Sequence, residues 1–302
     1  MTHAGIELGG TKTVVAVGNA NAEVIEEHRY PTTTPEETMA VAVDWLRQRG
    51  TPQSIGIAAF GPVAINRSHP RYGFMLDTPK PGWSGGPILD PIGKAFPEAR
   101  LTLETDVNAA ALAEARIGAA AGMEDVVYIT IGTGLGAGIL SGGHLVHGVM
   151  HPECGHFKVP RAPGDEDFPG VCPFHGDCLE GLASGPAMEK RWGKPAADLP
   201  ADHPAWDVQA WYLAHGIMAL TAVVSPQRVI IGGGVSQADG LHTKTGSILR
   251  KISNGYFPQV DSDPDFIAPP KLGQQAGIRG ALLLSRLRAD ETRGSGVSPE
   301  AS

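Results

Sequence analysis

The sequence predicts a two-domain α/β fold made of two similar halves. Three observations carry this. Gly5 to Val17 reads as a strand, a glycine turn and a second strand. Val126 to Gly148 repeats that plan about half the chain later. Helical segments and an apolar strand, Arg228-Val-Ile-Ile231, follow the repeat as they follow the first hairpin. Alternating apolar residues bounded by glycine turns mark strands, and strands alternating with helical patterns mark α/β units. In such folds ligands bind beyond the carboxyl ends of the strands, so the halves are expected to enclose a cleft.

The elements follow in order. Ile6 and Leu8 alternate, Gly9-Gly10 break the run, and Val14 to Val17 resume it; a third strand runs through Val24-Ile25. Thr34 caps a helix over Pro35–Arg49, with Pro35 at the first helical position and Glu37 in the capping-box position. Ser54–Ala59 is a short strand, and Asn66 to Gly86 reads as a long loop. Leu101–Glu104 is a strand and Val107–Ala121 an alanine-rich helix. In the repeat, Val126–Ile131, Ala137–Leu140 and Leu145-Val146 are strands around Gly132-Thr-Gly-Leu-Gly136 and Gly142-Gly143. Asp202–Val224 is a long helix with Trp206, Leu213, Ile217 and Leu220 at core spacing, and Gln274–Leu287 is a final helix. On this reading residues 1–115 form a small N-terminal domain, joined by the helix 274–287. Residues 116–273 form a larger α/β domain, and 288–302 is a flexible tail.

Composition excludes several classes. No run of about eighteen apolar residues exists, so no transmembrane helix is expected. The first residues carry neither a basic region nor an apolar core, which argues against export. Three cysteines make an odd count that does not suit a disulfide framework, and the cytoplasm is the expected compartment. A net charge of −8 disfavours a nucleic-acid surface.

All three cysteines fall between Glu153 and Cys178. Cys172-x₂-His175-x₂-Cys178, with His156 upstream, offers two thiolates and two imidazoles, which suits a closed tetrahedral Zn²⁺ site of structural type. A metal clip would order the intervening 161–170 segment, which cannot pack a core of its own. Cys154 is left over as a small buried residue. Gly9-Gly10-Thr11-Lys12-Thr13 places backbone N–H groups, hydroxyls and a cation at one turn; it serves either as a hairpin turn or as a phosphate cradle. Gly132-Thr133-Gly134 opens a strand rather than a helix, so it is not a dinucleotide fingerprint. Gly232-Gly233-Gly234 is either a flexible loop or a close approach to a flat ligand. Asp106 stands where a strand gives way to a helix, as a cap or as a base for a hydroxyl attacking a phosphoryl group. Glu7 is either an indirect Mg²⁺ partner or a half-buried strand carboxylate with a local hydrogen-bond partner.

These motifs, Gly9 to Thr13, Glu104-Thr-Asp-Val-Asn108, Ile131 to Gly136, Glu153-Cys-Gly-His156 and Gly232 to Gly234, resemble the ordered signatures of the ROK family. That family comprises sugar kinases and related repressors on the two-domain actin-like ATPase (ribonuclease H-like) fold. Phe60-Gly-Pro-Val63, Thr78-Pro-Lys-Pro-Gly-Trp83 and the Cys172–Glu180 segment are similar to its bacterial fructokinase branch. The resemblance implies an enzyme that uses Mg²⁺ and ATP to phosphorylate D-fructose on its 6-hydroxyl, with mannose and glucose as alternative hexoses. It implies Asp106 as the base. It implies Gly10, Thr11, Lys12, Thr13, Thr133, Gly134, Pro186, Gly233 and Gly234 at the nucleotide. Gly61, Pro62, Pro81, Gly82, Trp83, Thr105, Glu153, His156 and Glu180 are implied at the sugar, Glu7 and Asp106 at Mg²⁺, and His156, Cys172, His175 and Cys178 at Zn²⁺. His175 stands where other members carry cysteine, and Thr105 where many carry asparagine. The family's repressors carry an N-terminal helix-turn-helix domain; here the first strand starts by Gly5, which favours the kinase. A homodimer is the implied assembly. Loss of the metal is expected to weaken sugar binding and stability more than nucleotide binding.

Overall fold

The computed structural model describes residues 3–287, so the tail expected at 288–302 lies outside the described residues. The chain forms two compact units. The first gathers residues 3–114, 144–152 and 274–287, and the second 115–143 and 153–273. The stretch 144–152, assigned to the second half from sequence, thus groups with the first. Two of its side chains tie it there: His147 approaches Glu104, and the ring of His151 accepts the Val63 N–H at 3.2 Å.

The first unit contains β1 (His3–Leu8), β2 (Lys12–Gly18), β3 (Val24–Pro31), α1 (Pro35–Arg47), β4 (Ser54–Ala59), α2 (Leu89–Ala95), β5 (Arg100–Thr105) and the start of α3 (Asp106–Ile117). Its sheet has the order β3-β2-β1-β4-β5. β1, β2 and β3 are antiparallel neighbours, while β1, β4 and β5 run parallel. Thr34 accepts the Glu37 N–H at 3.3 Å, and Pro35 opens α1 where no N–H is needed. One core of this unit packs Ile6, Leu8, Met39, Leu46, Ile57 and Trp83, all essentially without solvent contact.

The second unit carries on with β6 (Val126–Ile131), β7 (Leu135–Ser141), α4 (Leu179–Ala183), α5 (Gly185–Trp192), α6 (Ala205–Val224), β9 (Arg228–Gly232), α7 (Leu241–Ser253), α8 (Pro258–Ser262) and β10 (Ile267–Ala268), and its sheet is edged by β8 (His144–Leu145), which opens the 144–152 stretch. The sheet order β10-β9-β6-β7-β8 reproduces that of the first sheet, with β6 and β7 antiparallel and β6, β9 and β10 parallel, as their counterparts are. The duplication expected from the two glycine hairpins is therefore a duplication of topology. Trp206, Leu213, Ile217 and Leu220 of α6 are all buried, as their spacing predicts. The short helices α2, α4, α5 and α8 are not picked out by periodicity, because one or two turns carry too few apolar positions.

The last helix, α9 (Ala276–Leu284), returns to the first unit and packs on β1 and β4. Its Gly277 faces Glu7 so closely that a Cβ there would come within 2.5 Å of the carboxyl group.

Candidate active site

The first unit collects its polar residues at the carboxyl ends of its parallel strands, where such folds hold ligands. Glu7, Ala58 and Glu104 are partners across β1, β4 and β5, so both carboxylates lie on one face of the sheet. Burial, then the neighbouring Asp106 carboxylate, pushes Glu7 up to about 7. Two carboxylates that repel each other in this way form a site that a cation or a proton relieves. Asp106 opens α3, and its Oδ1 accepts the Val107 N–H at 2.8 Å, which fixes the carboxylate at the helix start. Gly10, Thr11 and Lys12 are exposed at the β1–β2 turn, where the Gly9 N–H donates to the Lys12 carbonyl at 3.1 Å.

Three expected ligand residues are placed otherwise. The Thr13 hydroxyl is fully buried and 2.7 Å from that of Thr32, which itself donates to the Gly9 carbonyl. Thr13 therefore braces the turn from inside. The Thr105 hydroxyl is buried too and accepts the Asn108 N–H at 3.1 Å, an N-terminal cap for α3. Trp83 is fully buried, donates to the Thr33 carbonyl at 2.7 Å and meets Phe60 edge to face at 5.2 Å. It belongs to the core, while Pro81 and Gly82 before it are exposed and Gly61 and Pro62 partly so.

Sequence reading gave no role to Glu104 or His147. Glu104 is buried; Oε2 accepts from the Asn108 amide at 2.9 Å, and Oε1 lies 2.6 Å from His147 Nε2. That last contact is a close approach without the alignment of a hydrogen bond. The only local signal is the spacing of His147 and His151, four residues apart.

In the second unit His156, Cys172, His175 and Cys178 bring their ligand atoms within 4.8 Å of one another. The Cys172 sulfur lies 3.7 Å from Nδ1 of both histidines, and the Cys178 sulfur 3.6 Å from Nδ1 of His156. A tetrahedral ion with the usual thiolate and imidazole bond lengths sets sulfur and nitrogen about 3.6 Å apart, so the group fits a four-coordinate metal. Burial pushes the Cys178 thiol up to about 11, so a thiolate there requires a cation beside it. With Nδ1 of His156 on the metal side, Nε2 faces Glu153 Oε2 at 4.0 Å. Glu153 keeps 37% of its side chain exposed. Enough protein still surrounds it that desolvation, then the Glu180 carboxylate, pushes it up to about 7.

The 161–170 segment does not depend on the metal alone. Asp165 is buried, paired with Arg191 at 2.8 Å and bonded by the Tyr212 hydroxyl at 2.5 Å. Arg191 also stacks over Phe168 at 4.0 Å. No local sequence pattern announces this network, because its members are brought together only by packing.

Thr133 and Gly134 sit at the end of β6, and Gly233 and Gly234 at the end of β9. Gly233, with φ of 90°, packs against the backbone of Ile131. Pro186 is exposed at the start of α5, beside the Gly185 N–H that donates to the Gly132 carbonyl at 2.8 Å.

The duplicated α/β fold, with glycine turns after β1 and β6 and a carboxylate at the head of α3, is shared with solved ROK kinases. The chain belongs to the ROK family, whose model matches residues 3–287. It is 43% identical to a fructokinase of Zymomonas mobilis over 288 residues, 93% of this chain and 95% of that protein. It is 42% identical to a fructokinase of Pediococcus pentosaceus over 283 residues, 93% and 96% of the two chains. Among solved structures it is similar to a ROK family glucokinase from Streptomyces griseus in complex with glucose and AMPPNP. The TM-score is 0.70 at 26% identity, covering 95% of this chain and 99% of that one.

Proposed function

We propose that this protein is a fructokinase, transferring the γ-phosphoryl group of ATP to the 6-hydroxyl of D-fructose. The observation that carries it is the identity above 40% to fructokinases over nearly the whole chain. The site chemistry is consistent with it. Asp106, fixed at the head of α3, accepts the hydroxyl proton as the sugar oxygen bonds to the γ-phosphorus. The bond to the bridging oxygen breaks, and its electron pair leaves with ADP. Glu7 and Asp106 fit a Mg²⁺ partner role, since the Asp106 carboxylate raises the need for positive charge at Glu7. The metal, when bound with ATP, offsets charge on the transferring group. Gly10, Thr11 and Lys12 serve the phosphates in the first unit, and Thr133, Gly134, Pro186, Gly233 and Gly234 serve the nucleotide in the second. Glu153, His156 and Glu180 are assigned to sugar hydroxyls, with Gly61, Pro62, Pro81 and Gly82 as the first unit's sugar-side loops.

The Cys/His group is assigned to a structural Zn²⁺, because two thiolates and two imidazoles close its shell. Among the described residues no helix is long and apolar enough to cross a membrane. The cytoplasm and a homodimer are the assigned compartment and assembly.

Coupled ADP-release assays over fructose, mannose and glucose test the reading. Turnover is expected with fructose as the best hexose. No turnover on any hexose would overturn the kinase assignment, and a higher kcat/KM for another hexose would overturn the fructose assignment.

A further inference from the structure

The glycine turn of the second unit is held from the metal segment. Leu135, the first residue of β7, follows the Gly132–Gly134 turn and is 4% exposed. Its N–H donates to Oε2 of Glu180 at 3.0 Å. A Cβ added at Gly134 would lie 2.8 Å from that same oxygen, so the carboxylate rests directly against the turn. On the other side Gly155 presses on the Leu135 carbonyl, where a Cβ would approach to 2.0 Å. Both contacts start from the metal group. Cys178 is the N-terminal cap residue of α4, the helix that carries Glu180. His156 closes the short 3-10 turn Cys154–His156 that contains Gly155.

We propose that Glu180 is a positioning residue for the nucleotide, in addition to its assigned place at the sugar. One carboxylate oxygen holds the Leu135 N–H and thereby fixes the turn in which Thr133 and Gly134 face phosphate; the other is left for a sugar hydroxyl. The inference rests on the nucleotide-binding reading of that turn. Without an acceptor at position 180 a largely buried N–H is orphaned, and the turn must move to find water. Glutamine keeps an acceptor oxygen for Leu135 but removes the charge, whereas alanine removes both. The metal segment thus bears on nucleotide binding, where sequence reading expects its effect chiefly at the sugar.

The test is calorimetric binding of Mg²⁺–AMPPNP and, separately, of D-fructose to the full-length, zinc-loaded protein. Glu180→Ala is expected to weaken AMPPNP binding about tenfold or more, as an orphaned donor costs. Glu180→Gln is expected to stay within about threefold of the parent for AMPPNP while losing fructose affinity, since a neutral acceptor bonds less strongly than a carboxylate. Gly134→Ala supplies an independent arm. Its added methyl group meets the Glu180 oxygen, so its penalty on AMPPNP binding should shrink when combined with Glu180→Ala. Parent-like AMPPNP affinity in Glu180→Ala, or equal losses in the alanine and glutamine variants, would overturn the proposal. Strict additivity of the Gly134 and Glu180 changes would also overturn it; if Glu180→Ala does not fold, Glu180→Gln decides, and a loss of AMPPNP affinity there of about tenfold or more overturns the proposal. A parent protein that binds no AMPPNP would instead overturn the underlying kinase reading.

Discussion

The carboxylate of Glu104, at the end of β5, lies 2.6 Å from Nε2 of His147, in the stretch that leaves β8. Glu104 is almost fully buried and His147 largely so. Removing His147 leaves the buried Oε1 of Glu104 without its neighbour, and a buried polar atom that loses its partner is costly. His147→Ala is therefore expected to destabilise the protein by about 2–3 kcal/mol, somewhat less than for a pair without any solvent access. His147→Gln should recover part of the loss by donating an amide N–H. Chemical denaturation midpoints of the three proteins check this.

Asp106→Asn keeps the shape at the head of α3 and removes the base. A drop in kcat of about 10²–10⁴ is expected, with AMPPNP affinity near that of the parent. Full activity in this variant would remove Asp106 from the chemistry.

Glu7 is raised from 4.5 to about 7 chiefly by burial. The folded chain therefore holds this proton over a range where the unfolded chain has lost it. Stability from this group is complete below about 4.5 and declines as pH rises to about 7, then stays level. Glu7→Gln does not ionise, so its stability relative to the parent should grow from pH 4.5 to pH 7.5 by about 2–3 kcal/mol in buffer without Mg²⁺. Urea denaturation at a series of pH values measures the difference, and Mg²⁺ should diminish it by favouring the ionised form.

Trp83 acts through the core. Trp83→Ala is expected to cost about 3–5 kcal/mol, the usual price of a large aromatic cavity, and Trp83→Phe less. At temperatures where both variants are folded, fructose KM should change little in Trp83→Phe. A large rise in KM without loss of stability would return Trp83 to the sugar site.

Metal analysis of the purified protein should find about one zinc per chain. Chelation should expose the Cys172–Cys178 loop to protease before the preceding 161–170 segment. The Asp165, Arg191 and Tyr212 network holds that segment without the metal. Simultaneous cutting of both stretches would show that the metal orders the whole region.

The sequence by itself determined the duplicated strand plan, the cap of α1, the buried stripe of α6 and the grouping of His156, Cys172, His175 and Cys178. Each of these is encoded by local spacing: period two, period 3.6, or ligands packed closely along the chain. Only the tertiary structure decided that Thr13 and Thr105 turn their hydroxyls inward, that Trp83 is core, and that Glu104 meets His147. It also decided that Glu180 reaches Leu135 and that Asp165 pairs with Arg191. Local periodicity tells which backbone a residue adopts and whether its side is apolar. It carries no information about which polar group from a distant element will arrive opposite it, because that is settled when the packed elements bring their buried donors and acceptors together.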